Sequence, residues 1–258
     1  LALKLEADRM ANLVLSGEEF AKEINVVMEE RRMRTEDSAQ AKLYEALMAT
    51  AYQTHPYRHP VIGWMDDLKN MKVEDARRWY ETWYSPNNAT LVVAGDIEPA
   101  QVFAWAQQYF GGISGRTQPL RKPQQEPEQI GMKQVTVKAP AKLPVVALVW
   151  PAPNLRDPAR DADPYALEIL AGVLDGHASA RLNQSLVREK QIAVEASAGY
   201  DSIARGPGMF SLDASPVEGK SVAEVQAALK DEIARLIKDG VSDSELNRVK
   251  AQVLASQV

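Results

Sequence analysis

Shifting the 258-residue sequence by 226 positions lays its last 32 residues on its first 32 without a gap. Eight pairs are identical: Ala2/Ala228, Leu3/Leu229, Lys4/Lys230, Glu6/Glu232, Arg9/Arg235, Ser16/Ser242, Glu19/Glu245 and Val27/Val253. In both copies apolar residues spaced by threes and fours form one helix face, then break at a serine. Ser16 with Glu19, and Ser242 with Glu245, have the S-x-x-E spacing in which hydroxyl and carboxylate cap a new helix reciprocally. Because the cap falls on itself, the pattern reads as duplicated architecture rather than shared helical composition. A domain of about 226 residues follows, of which this chain holds the end of one copy and the larger part of the next. Both ends lie inside helical periodicity and read as cut points, so a targeting signal would lie outside the sequence.

The remaining order fits two domains. Further helices are expected over residues 39–54 and 73–84, the latter stopped by Ser85-Pro86-Asn87-Asn88. The β-branched run ATLVVAGDI (89–97) predicts a strand, and Pro99 suits the first turn of a helix ending at Gly111-Gly112. Residues 114–129 are polar, contain three prolines and cannot bury a core, which makes them a semi-rigid linker between domains over 1–113 and 130–258. Beyond it, strands are expected at 133–138 and 145–150, and two more flanking Arg205–Gly208. Helices are expected from Asp163-Pro164, over ASARLNQSLVREK, and in the closing pair. The fold class is α+β: two homologous domains, both truncated, each a mainly antiparallel sheet covered by helices.

Composition narrows the chemistry. A net charge of −5, with 30 Lys and Arg spread along the chain, argues against nucleic acid or an anionic membrane as partner, and no apolar run approaches the ~20 residues of a bilayer span. There is no cysteine, so a metal would need histidine and carboxylate ligands, and the histidines are His55, His59 and His177. His55 and His59 have a usable spacing, but Pro56 and Pro60 disfavour a regular helix, so this stretch reads as a structural loop, as does His177. Trp64, Trp79 and Trp83 could line a ligand site, yet aromatics at i, i+4 more often pack a core.

In the helix after Ser16, Glu23 and Glu30 are one heptad apart, about 10 Å along the axis and within about 20° in projection. They border the apolar stripe of Phe20, Ile24 and Val27, and their counterparts in the second copy are Val249 and Ser256. An acidic, solvated face paired with Arg31, Arg32 and Arg34 is the simpler account of them; a one-sided active centre is the other.

The joint pattern EADRM…F..EINVVMEERRMR, HPYRHPVIGW, WYETWYSPNNATLVVAGDI and SARLNQSLVREK resembles the pitrilysin/insulinase-type zinc peptidases, the inverzincins, and within them the bacterial half-size members related to mitochondrial processing peptidase. The resemblance implies that Glu30 is a zinc ligand and Glu23 its supporting acid. It also implies that two histidine ligands and the general base come from an H-x-x-E-H motif, which this sequence lacks and which should fall upstream of Leu1. The implied activity is a zinc-dependent endopeptidase acting on peptides or unfolded segments, with zinc in the intact parent, none on this fragment, and no hydrolysis by the fragment alone. The family's other half presents an arginine and, seven residues later, a tyrosine to the peptide. Here Arg188 stands at the first position and Glu195 at the second, so a homologous partner subunit could supply the pair. The alternative is a non-catalytic scaffold that packs against an active peptidase. The resemblance also points to the bacterial periplasm.

Overall fold

The computed structural model describes residues 1–255. Its helices are α1 (Ala2–Asn12), α2 (Gly17–Arg31), α3 (Ala39–Ala51), α4 (Met65–Asn70), α5 (Val73–Trp83), α6 (Pro99–Phe110), α7 (Ala162–Leu174), α8 (Val222–Asp239) and α9 (Asp243–Ala255). Its strands are β1 (Val146–Ala152), β2 (Ala193–Tyr200) and β3 (Gly208–Pro216). Two compact units form, residues 1–38 with 59–125 and residues 39–58 with those from 126 onward, so α3 belongs to the second.

The first unit is helical. Ser16 caps α2 by accepting from the Glu19 amide, while the Glu19 carboxylate turns to Lys22 instead of back to the cap, so the expected box is half formed. From α5, the Tyr80 hydroxyl donates to the Met10 carbonyl (2.7 Å), and the Arg77 guanidinium donates to the Leu15 carbonyl (2.6 Å). These two side chains tie the α1–α2 corner to α5. The expected strand at 89–97 is not formed. Leu91, Val92, Val93 and Ile97 are exposed, and no described segment offers that stretch a ladder of hydrogen bonds.

The second unit holds an antiparallel sheet of order β1-β3-β2. Alternate residues of central β3, Phe210, Leu212 and Ala214, are buried against Leu174, Leu182, Leu186, Val225, Ala228 and Leu229 from the helical side. The stretch expected as a strand at 133–138 joins no strand among the described residues either; an open groove of about 1170 Å³ lies along it, lined also by Leu43 and Leu47 of α3, Val149 of β1 and Gln226 of α8. A mainly antiparallel sheet under helices is therefore found in one unit; among the described residues the other has no strand.

Residues 114–129 carry no helix or strand and are pinned within both units. In the first, the Arg116 amide donates to the buried Ser85 hydroxyl (3.0 Å). In the second, the Glu126 carboxylate accepts from the amides of Gln53 (2.5 Å), Thr54 (2.9 Å) and His55 (2.8 Å). Burial raises the Glu126 pKa, but these amide donors outweigh it and hold the carboxyl at about 2. Among the described residues no helix is long and apolar enough to cross a membrane.

Candidate functional site

Both sequence-selected acids lie on α2, whose regular turns from Gly17 to Arg31 place Glu23 and Glu30 along one side. Glu23 is exposed. Glu30 is partly shielded and pairs with the Arg34 guanidinium at 2.9 Å. Directly after it the backbone widens into a π-helical turn over Arg32–Glu36, a geometry that recurs at functional sites and that no sequence signal announced. Arg31 anchors this junction. It is 5% exposed, donates to the Gly63 carbonyl (2.8 Å), approaches Glu36 (3.6 Å) and lies over the Trp64 ring, 5.8 Å from its centroid. A guanidinium so held fixes the end of α2, and with it the Glu30 backbone.

The corresponding face of α9 is packed. Val249, at the position of Glu23, is 1% exposed, and a Cβ on Gly172 of α7 would fall 2.6 Å from its Cγ1. Ser256, the counterpart of Glu30, lies outside the described residues.

The histidines serve the backbone and loops. His55 accepts from the Tyr57 amide at Nδ1 (3.2 Å) and meets the Tyr57 ring edge-on at 4.6 Å. His59 Nδ1 accepts from the Trp64 indole N–H (3.2 Å), and His177 Nδ1 accepts from the Ser179 amide (3.0 Å). The aromatic pairs of α5 do not form a core, since no residue of that helix is buried and Trp79 is 60% exposed. Arg121 instead lies over Trp83 at 4.7 Å and Arg116 over Tyr80 at 5.4 Å.

Arg188 is exposed on a second π-helical segment, Asn183–Glu189, and Glu195 on β2 accepts from the Ser215 hydroxyl (3.1 Å). Sequence reasoning missed the acid that matters most to this unit. Glu232 of α8 is 1% exposed, accepts from the Ser185 hydroxyl (2.5 Å), pairs with Arg235 and lies 3.9 Å from the Lys190 ammonium. Its identity with Glu6 in the repeat was the available signal.

Among the described residues no group of three or more His, Cys, Asp or Glu side chains could hold a metal ion. Glu30 can supply one oxygen ligand, and zinc sites of the catalytic type take three protein ligands, so these residues alone do not make a metal centre.

The curated zinc protease PqqE of Helicobacter pylori is 30% identical over 255 residues, covering 96% of this chain and 56% of that protein. A crystal structure of a protease from Helicobacter pylori superposes with a TM-score of 0.87 at 29% identity, covering 99% of this chain and 61% of that one. A peptidase M16 inactive domain from Pseudomonas fluorescens superposes with a TM-score of 0.80 at 20% identity, covering 99% and 60%. The chain thus spans little more than half the length of the relatives it matches. With residues 70–253 also matching the family described as the peptidase M16 inactive domain, the chain belongs to the M16 peptidase family.

Proposed function

We propose that this chain is part of a longer zinc endopeptidase built from two homologous domains. In that reading Glu30 supplies one zinc ligand and Glu23 supports it, while the histidine ligands and the general base come from an H-x-x-E-H helix that precedes Leu1. The observation that carries the reading is the contrast on the α2/α9 face. Val249 of α9 is buried against α7, so the equivalent face of α2, which bears Glu23, is suited to receive an α7-like helix. A carboxylate at that contact would cost several kcal/mol unless a cation or donor met it there. A bound zinc ion would leave a fourth position open for water. The residues of this chain hold the α2 terminus through Arg31 and keep Glu30 within reach of Arg34.

Substrates in this reading are peptides or unfolded segments, and the second half, with Arg188 exposed and Glu195 where a tyrosine would stand, contributes shape rather than chemistry. The test is zinc content by elemental analysis of the full-length protein and its Glu30→Gln variant, together with peptide cleavage. Loss of zinc and of cleavage in the variant is expected; equal zinc in both would remove the ligand assignment. The second reading, a non-catalytic subunit beside an active peptidase, is favoured by the family match to an inactive domain. The coding sequence upstream of Leu1 separates the two, because a scaffold need not contain H-x-x-E-H.

A further inference from the structure

The motif A-L-K-x-E-x-x-R occurs at Ala2–Arg9 and again at Ala228–Arg235. In α8 one face of it is buried: Ala228 is 5%, Leu229 0% and Glu232 1% exposed. Leu229 packs in the core that includes Leu182 and Leu186, and between those two leucines Ser185 places its hydroxyl 2.5 Å from the Glu232 carboxylate. Arg235, one turn on, pairs with the same carboxylate. A carboxylate is tolerated at such depth only when donors surround it, and here hydroxyl, guanidinium and ammonium do so.

In α1 the same residues stand in the open. Ala2 is exposed, Leu3 partly so, and the Glu6 side chain is 50% exposed, yet Glu6 keeps its pair with Arg9 at the same i, i+3 spacing. The helix thus carries a prearranged Glu–Arg pair beside an apolar Ala-Leu step, the combination that in α8 receives a packed neighbour.

We propose that in the longer protein the Ala2–Arg9 face is covered by a hydroxyl-bearing helical segment from upstream of Leu1, whose Ser or Thr hydroxyl donates to Glu6 as Ser185 donates to Glu232. The 226-residue register places that segment, the counterpart of Asn183–Glu189, roughly 40 residues before Leu1. The Helicobacter pylori zinc protease, of which this chain spans 56%, is longer than the match by far more than those roughly 40 residues. The inference shares with the proposed function the premise of a duplicated longer chain but needs neither zinc nor Glu30, so either can fail alone.

Because residues 1–258 contain no cysteine, a thiol introduced among them is the one labelled site in this stretch, and its peptide is read separately from any cysteine elsewhere in the full-length protein. Ala2→Cys and Ala228→Cys are made in the full-length protein and in the 258-residue chain, labelled with a bulky maleimide, and read by peptide mass spectrometry. The Ala228→Cys thiol should label slowly in both. The Ala2→Cys thiol should label at least about tenfold more slowly in the full-length protein than in the shorter chain. Equal, fast labelling in both would overturn the proposal. The hydroxyl contact is tested by Glu6→Gln, which should lower the Tm of the full-length protein and leave that of the 258-residue chain unchanged. Full-length Glu6→Gln with wild-type Tm would overturn the contact.

Discussion

The helices α1 and α8 share five identical residues within eight, yet Ala228, Leu229 and Glu232 are buried in α8 while Ala2, Leu3 and Glu6 lie on the open side of α1, which buries Ala7 and Met10 instead. Leu3 and Leu229 have the same side chain on the same helical stripe, but only Leu229 has a sheet and the Ser185 segment against it. Helix propensity is the same for both, so the difference comes entirely from what is packed alongside. Under the proposal made for α1, a helix sequence records the environment it is built for even when that environment is not beside it.

Substitutions made in pairs sharpen this comparison in the 258-residue chain. The largest contrast is expected at the Glu23/Val249 pair. Val249→Glu places a charge against Gly172 and should cost about 4 kcal/mol, whereas Glu23→Val, at an exposed site, should stay within about 0.5 kcal/mol. Leu229→Ala should cost about 3 kcal/mol in urea unfolding and Leu3→Ala under about 1 kcal/mol; equal losses would mean that the Leu3 side of α1 is packed after all. Glu232→Gln should cost about 2 kcal/mol and Glu6→Gln almost nothing.

The caps give a smaller contrast. Ser242 donates to Glu245 and accepts from its amide, and Glu245 also holds Arg181 at 2.7 and 2.9 Å, so Ser242→Ala should cost about 1.5 kcal/mol against about 0.7 kcal/mol for Ser16→Ala. The Arg181 guanidinium, opposed by burial and aided by the Ser242 amide and hydroxyl, holds the Glu245 carboxyl at about 2. A carboxyl lowered on folding adds stability in full above its ordinary value near 4.5 and loses it as pH falls toward 2. Stability should therefore decline across that window, and Glu245→Gln should flatten part of the decline.

Much of the helical framework was legible because caps, prolines and apolar spacing act locally. The S-x-x-E box at Ser242 forms as its spacing requires, that at Ser16 forms by half, and Pro99 opens α6. The β-branched stretches at 89–97 and 133–138 were misjudged because a strand is completed by a neighbour, which the local sequence does not contain. For the candidate site, the heptad spacing of Glu23 and Glu30 was readable from periodicity. The burial of Arg31 was not, because its partners Gly63 and Trp64 are more than thirty positions away, and no local signal marks the π-helical turn after it.

The irregular stretch from Leu91 to Ile97 has a practical consequence for the isolated polypeptide. Its exposed apolar side chains, in no strand among the described residues, make it an adhesive segment that can template intermolecular β-pairing. Solubility on concentration should thus be governed by these few residues rather than by the net charge of −5, and a lysine in place of Val92 is the economical remedy.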